Sequence, residues 1–332
     1  MKKFWTFALT ITLLLGLTAG SGGSADAASG SNWPEREVRL IVPYKEGGGS
    51  HKTALMIKAA ADANKLMSKP FIVVCMPNAA TLEGQEEVLN ASPDGYALLV
   101  HHNAMINNYA LGKQKFSYDD FAMIGQLYST PLAIGVRADS PWKTLDELVA
   151  DIKAKPGTYS WTWAGLGGNT HFASYVFYEA AGIAGTDIIP SITKGDGDSL
   201  VSLVGGHSNI AIAQTNAFPE YVASGKVRML GHSGKGDITV GGQTVKSWTD
   251  QGYKGTYNLR CFVFAPKETP EATLAAIRGV IEKVVATQEF QKAMLADGFT
   301  PEWLPTQAAL EAFKKEGDSA KHIASLMKTT KK

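Results

Sequence analysis

The sequence lacks the short motifs that identify most hydrolases, metalloenzymes and redox enzymes. It contains no H-E-x-x-H, C-x-x-C or G-x-S-x-G, so the usual zinc ligands, reactive dithiol and nucleophilic serine are missing. No G-x-G-x-x-G lies between the first strand-like segment and the following helix, so there is no dinucleotide fingerprint. A P-loop is excluded because Glu46 and His51 occupy the positions of its two glycines. We therefore expect no catalytic residue, no metal and no cofactor.

The chain also has only two cysteines and little net charge. Cys75 and Cys261 could form one long-range disulfide in an oxidising compartment or remain two thiols. Each lies in an apolar strand-like run, FIVVCM or RCFVFA, which favours thiols. Without residues 1–27 the chain has 30 basic and 30 acidic residues. This balance gives no indication of a nucleic-acid partner or an anionic membrane surface.

Residues 1–27 have the pattern of a signal peptide. Two lysines precede the apolar run of residues 4–17, which is too short to span a bilayer in the mature protein. Residues 25–27 have the small-x-small form of a signal-peptidase site, whereas residues 17–20 resemble a lipoprotein box that should be followed by cysteine. The next residue is Ser21. We therefore expect an exported protein, periplasmic or otherwise extracytoplasmic, without a lipid anchor.

Strand-like and helix-like segments alternate through most of the chain, which favours α/β domains with mainly parallel sheets. Roughly 300 residues after the signal are enough for about two domains. One arrangement, a buried strand followed by a glycine loop and a helix, occurs twice. Its copies comprise residues 38–42, 47–49 and 53–65, and then residues 159–163, 165–170 and 171–181. Ligands bind open α/β sheets at such loops, so we expect the two loops to face one cleft.

The rest of the chain carries no further glycine loop of this kind. Residues 233–243 are polar and glycine-rich, which predicts a mobile connector. The strand near residues 261–265 and the helices after Pro270 and near residues 289–295 follow it. We expect these elements to return and complete the first domain.

The N-terminus of the first helix is unusual because His51 and Lys52 both lie in its first turn. Cations there oppose the helix dipole, at a cost of about 0.3–1 kcal/mol each when exposed. Two interpretations remain open at this point. The residues form a solvated surface pair, or they complement an anionic ligand held by the loop.

Other candidates are ambiguous from the sequence. His101 and His102 are adjacent on a strand and should point to opposite faces, so only one can enter the cleft. Trp161 and Trp163 share one strand face. They fit either core packing or a cleft wall that stacks on a planar ligand.

Six segments together carry a family resemblance: WPEREVRLIVPYKEGGGS, SPDGYALLV, DSPWKTLDELVADIKAKPGTYSW, AGLGGNTHFA, SGKVRML and FAPKETPEATLAAI. They resemble, in order and over nearly the whole mature chain, the extracytoplasmic solute-binding proteins of tripartite tricarboxylate transporters, the Bug family. The resemblance implies a type II periplasmic-binding-protein fold, with two α/β lobes around a ligand cleft. It implies a first lobe of residues 33–130 plus 251–332 and a second lobe of residues 131–250.

The resemblance also implies a binding site, because family members clasp a ligand carboxylate with loop backbone groups and bound waters. Where the family usually has alanine before the glycines and aspartate after them, this chain has Glu46 and His51. The implied ligand-binding residues of the first lobe are Tyr44, Gly47, Gly48, Gly49, Ser50, His51, Pro77, Ala79, His102, Asn103 and Ala104. Those of the second lobe are Trp163, Gly165, Gly167, Gly168, Asn169, Thr170, Lys194, Gly195, Asp196, Gln214, Thr215 and Asn216.

Together these features predict a monomeric, non-enzymatic carrier that captures a small organic acid and delivers it to membrane permease subunits. Closure is expected to hinge near residues 129–133 and 250–255. One alternative is a binding protein or sensor for a neutral or cationic molecule, because Glu46 adds a negative charge to the loop. Another is a hydrolase that uses a histidine with Asp196 or Asp198, which lacks an activated nucleophile.

Overall fold

The computed structural model describes residues 32–329. The predicted signal peptide and Ser21 lie outside these residues. The strands are β1 Val38–Val42, β2 Phe71–Cys75, β3 Ala97–His102, β4 Phe121–Arg137, β5 Tyr159–Ala164, β6 Ile188–Thr193, β7 Ile210–Gln214, β8 Val227–His232, β9 Ile238–Val240, β10 Gln243–Val245, β11 Asn258–Pro266 and β12 Pro301–Pro305. The helices are α1 Gly49–Ala63, α2 Leu82–Leu89, α3 Ala104–Ala110, α4 Leu145–Ala154, α5 Asn169–Ala181, α6 Asp196–Val204, α7 Pro219–Ala223, α8 Glu271–Ala286, α9 Gln288–Ala296 and α10 Thr306–Thr329.

The first lobe is built on a sheet whose strand order is β2-β1-β3-β11-β4. β1 runs parallel to β2 and β3, whereas β11 is antiparallel to β3 and β4. β12 also pairs antiparallel with β4. The strand β11 therefore pairs into the sheet of β1, β2 and β3 from much later in the chain.

The second lobe repeats this design with β5 between two parallel neighbours, β6 and β7. The long strand β4 joins the lobes: its first part pairs with β11, and from Leu132 onward it pairs with β7. The α/β architecture with two lobes agrees with the predicted fold class. The carboxyl ends of β1 and β5 precede the two glycine loops, so each loop lies at the ligand-binding edge of its sheet.

Local sequence explains where several helices begin. Thr144 caps α4 by accepting a hydrogen bond from the Glu147 backbone, and the Glu147 carboxylate accepts one from the Thr144 backbone. This reciprocal pair is a capping box. The helices after the glycine loops begin earlier than the sequence predicted, at Gly49 and Asn169. The last loop residues thus belong to first helical turns, where N–H groups lack intrahelical partners.

Two parts of the chain differ from their sequence-based expectations. The predicted mobile connector contains the antiparallel hairpin of β9 and β10. The long helix α10 was not predicted at all; it packs Phe313 against Phe262 and Phe264 of β11, with ring centroids 4.4 and 5.9 Å apart. Within residues 32–329, no helix is long and apolar enough to cross a bilayer.

Cys75 and Cys261 are both free thiols, as the sequence favoured. Cys261 is fully buried in the core of the first lobe. Burial raises the pKa of the Cys261 thiol to about 12. Its environment is that of a small hydrophobic residue, which fits packing and not nucleophilic chemistry.

Candidate functional site

The first glycine loop places the start of α1 at the edge of the sheet. Gly47 has φ +79°, a left-handed conformation that favours glycine. Gly48 is extended at φ −71° and forms the N-cap, so positive φ is required at Gly47 and not at Gly48. A Cβ at Gly48 would lie 3.3 Å from the carbonyl oxygen of Lys45. The backbone N–H groups of Gly49 and Ser50 follow at the positive end of the helix dipole.

His51 holds this loop in place. The backbone N–H of Gly47 donates to Nδ1 of His51 over 2.9 Å. Nδ1 must be unprotonated to accept, so the imidazole is neutral in this arrangement. Lys52 turns to the neighbouring helix α9 and pairs with Asp297 over 2.8 Å. Neither residue therefore acts as a free cation at the loop, and we define the His51–Gly47 hydrogen bond as the first latch.

The second glycine loop repeats this geometry. Gly167 has φ +83°, Gly168 caps α5, and the N–H of Gly167 donates to Nδ1 of His171 over 3.0 Å. We define this hydrogen bond as the second latch. Both loops therefore follow the pattern Gly-Gly-x-Ser/Thr-His, with Ser50 and Thr170 at matching positions. His171 was not among the site residues predicted from the sequence, although this repeat identifies it.

Asn169, the first residue of α5, joins the second glycine loop to the first lobe. Its Nδ2 lies 3.2 Å from Nδ1 of His102 in the first lobe. Its Oδ1 accepts from the Tyr257 hydroxyl over 2.9 Å and from Asn107 Nδ2 over 3.1 Å. The sequence analysis missed Asn107 and Tyr257 as parts of this junction, because long-range pairing alone brings them to the loop.

Tyr44 and His102 form a neutral polar wall beside the first loop. Their rings stack with centroids 4.5 Å apart, and the Tyr44 hydroxyl lies 3.2 Å from His102 Nδ1. Burial lowers the pKa of His102 to about 3, and burial also lowers the pKa of His101 well below its ordinary value. The Tyr44 hydroxyl lies 3.3 Å from His101 Nδ1 as well. Both histidines therefore reach Tyr44, although they are adjacent on a strand.

A cleft of about 430 Å³ lies between these elements. It combines residues of both lobes with three charged side chains, those of Lys45, Glu46 and Lys194. Its complete lining is Pro43, Tyr44, Lys45, Glu46, Gly48, Gly49, Ser50, Pro77, Thr81, His102, Tyr128, Lys194, Gln214 and Leu259. The volume lies in the range of small-molecule sites.

The model of the family described as "Tripartite tricarboxylate transporter family receptor", TctC, matches residues 55–328. The chain belongs to the TctC family. Among relatives, it is 25% identical to protein BugT of Bordetella pertussis, covering 87% of this chain and 88% of that protein. A UPF0065 protein of Cupriavidus necator, from the gbd 5′ region, is 27% identical over the same shares of both chains.

Three solved structures share the fold. A TctC solute-binding protein from Polaromonas superposes with a TM-score of 0.75 at 24% identity, covering 90% of this chain and 99% of that one. MatC from Rhodopseudomonas palustris, solved with bound malate, gives 0.73 at 21% identity, covering 88% and 100%. An R. palustris protein solved with adipate gives 0.74 at 18% identity, covering 89% and 98%.

In this TctC-family receptor, several implied site residues support the cleft without lining it. The Asp196 carboxylate accepts from the backbone N–H and from Nε2 of Gln214, each over 3.0 Å, and so orients that cleft residue. Burial raises the pKa of Asp196. Asn216 donates to the carbonyl of Asp297 in the first lobe over 3.2 Å. The other implied residues that do not line the cleft are Gly47, His51, Ala79, Ala104, Gly165, Gly167, Gly168, Asn169, Thr170, Gly195 and Thr215.

Asn103 and Trp163 are not brought into the cleft. Asn103 is buried and donates to the Asn258 carbonyl over 2.8 Å and to Glu316 over 3.1 Å, on the side of α10. Trp163 is 4% exposed and stacks on His171 with ring centroids 4.5 Å apart. The ring of Trp163 lines a different cavity.

The loop after β2 carries backbone strain beside the cleft. Ala79 and Thr81 have φ +51° and +83°, conformations that usually favour glycine. Such residues cost on the order of 1–3 kcal/mol each, and they concentrate at ligand sites. Thr81 lines the cleft, so the strained loop contributes directly to its wall.

Proposed function

We propose that this TctC-family receptor captures a small organic carboxylate in the cleft and delivers it to a tripartite membrane transporter. One observation carries the proposal: the N-terminus of α1 and Lys194, from opposite lobes, line the same cleft. The helix N-terminus offers backbone N–H groups to a carboxylate, and the lysine offers a positive charge. The ligand is bound without chemical conversion and is released outside the cytoplasm to the permease subunits.

Related folds support a dicarboxylate of four to six carbons as the first ligand class to test. MatC was solved with malate, and another R. palustris protein was solved with adipate. In this chain Tyr44, His102 and Gln214 supply neutral hydrogen-bonding groups between the two anion-binding ends of the cleft. Such groups would bind a ligand hydroxyl or bridging waters.

Glu46 favours a second candidate, a neutral or cationic ligand. Glu46 lines the cleft together with Lys45 and Lys194. A cationic ligand would pair with Glu46 and be repelled by the lysines. A dicarboxylate would show the reverse preference.

A thermal-shift screen separates the two candidates, since a ligand that binds only the folded state raises the melting temperature. The screen should compare mono-, di- and tricarboxylates with amino acids and cations. We expect dicarboxylates to stabilise the protein and Lys194→Gln to remove the shift. Lys226→Gln is the matched control, because Lys226 is an exposed lysine of the same lobe that does not line the cleft. Stabilisation by cations alone, lost in Glu46→Gln, would contradict the carboxylate assignment.

A further inference from the structure

A second cavity lies on the other side of the second glycine loop. Its volume is about 490 Å³, and none of its lining residues belongs to the lining of the cleft. The carboxamide of Asn169 lies 3.2 Å from His102, a residue of the cleft lining, whereas Leu166 lines the second cavity. The second glycine loop therefore contacts a cleft residue and also contributes to the wall of the second cavity.

The walls of the second cavity are mainly apolar. Ile188, Pro190 and Ile192 alternate along the edge strand β6, so all three present side chains to the same face. Leu166 and Ile192 are 47% and 55% exposed. Large apolar side chains grouped at an open cavity indicate a binding surface more than ordinary surface packing.

An aromatic wall completes the apolar part. Trp163 lines the cavity with its ring stacked on His171. Its indole Nε1 is buried and has no hydrogen-bond partner among the described residues. An unsatisfied buried donor is costly, and a ligand or water can supply the missing acceptor.

Charge at the second cavity has one sign. Lys113 and Lys328 are among its lining residues, and no aspartate or glutamate of the described chain is among them. Lys113 already donates to the carbonyl of Leu166, which holds its ammonium group beside the loop. An ammonium group carries three donors, so it can bind an anion in addition to this carbonyl.

We propose that this second cavity is a separate ligand site for an amphipathic monocarboxylate. The apolar chain of the ligand lies on Trp163 and the β6 face, and its carboxylate lies at Lys113 and Lys328. The site differs from the cleft, whose lining contains more polar and charged side chains. The inference does not depend on which small acid the cleft binds.

Isothermal titration with a chain-length series tests the site. Octanoate, decanoate, 1-decanol and decylamine are titrated below their aggregation concentrations into the purified protein. Two additional buried methylenes should make decanoate bind on the order of tenfold more tightly than octanoate. Decanoate should also bind more tightly than decanol, and decylamine should bind least. Equal affinity for octanoate and decanoate, or for decanoate and decylamine, would overturn the proposal.

Matched variants locate the binding. Ile192→Glu should weaken decanoate binding at least tenfold, because it places a carboxylate on the cavity wall. Ile189→Glu is the control: Ile189 lies on the same strand, is 46% exposed and points away from the cavity. Equal effects of the two variants would refute the location. Gly48→Val, which obstructs the cleft, should leave decanoate affinity unchanged; loss there would assign decanoate to the cleft and overturn the proposal.

Removing residues 330–332 tests one more occupant. These residues follow Lys328 and Thr329 directly in the sequence. If decanoate bound only after their removal, the cavity would be a docking place for the chain end, and the ligand site would be refuted. We expect the same affinity with and without them.

Discussion

Replacing His51 tests whether the first latch prepares the loop for its ligand. His51→Ala removes the acceptor of the Gly47 N–H, a hydrogen bond of 2.9 Å. A hydrogen bond of this kind contributes about 0.5–1.5 kcal/mol net. Since the bond is exposed to solvent, water can replace the acceptor, and the loss of folding stability should fall near the lower end. The loop would then be ordered only when the ligand binds.

If the loop must adopt this conformation to bind the ligand, the free energy contributed by the Gly47–His51 hydrogen bond also contributes to the ligand affinity. We therefore expect His51→Ala to weaken binding of the best dicarboxylate by about twofold to tenfold. His51→Asn retains a short acceptor at the position of Nδ1 and should recover affinity to within about twofold of the wild type. Isothermal titration measures both variants, and thermal melts confirm that they are folded.

Two results would refute the latch. Wild-type affinity in His51→Ala would mean that the loop conformation does not depend on His51. Equal losses in His51→Ala and His51→Asn would mean that the imidazole contributes something other than an acceptor, such as a positive charge on an anion.

Three further predictions concern the second loop, α10 and closure. Gly167→Ala should lower the melting temperature more than Gly112→Ala. Both glycines have positive φ, but a Cβ at Gly167 would lie 2.6 Å from Leu111, whereas a Cβ at Gly112 would meet nothing within 4 Å. Equal decreases in melting temperature would contradict this prediction. Burial raises the pKa of Glu316 to about 7, above its unfolded value, so the free energy of unfolding should fall as pH rises from about 4.5 through 7. Glu316→Gln should flatten this fall, measured by chemical denaturation at several pH values. An unchanged pH profile in the variant would contradict the prediction. Saturating ligand should reduce the radius of gyration in solution scattering if the lobes close on it, and an unchanged value would count against a hinge.

Much of the secondary structure was predictable because buried strands are short apolar runs bounded by turns. The predicted β1 has the observed bounds, Val38–Val42. The hairpin of β9 and β10 was missed, although Gly241 and Gly242 form its two-residue turn with φ +55° and +84°. Two adjacent glycines with positive φ are typical of tight hairpins, and this signal outweighs polar composition.

The site was only partly predictable. The glycine loops could be selected because loop residues after buried strands lie at the sheet edge, whereas Tyr44 was implied only by the family resemblance. The separation of Trp163 from the cleft could not be predicted. Alternation along a strand shows that Trp161 and Trp163 share one face, but it does not show what packs against that face. Likewise, Asn107 and Tyr257 meet Asn169 from 62 and 88 residues away in sequence. Such contacts follow from the packed lobes and leave no local pattern.

A crystal structure with the dicarboxylate that gives the largest thermal shift tests the central claim most directly. We predict one ligand carboxylate within about 3 Å of the N–H groups of Gly49 and Ser50, with the ligand extending across the cleft toward Lys194. Ordered ligand at any other place, with only water between α1 and Lys194, would contradict the account.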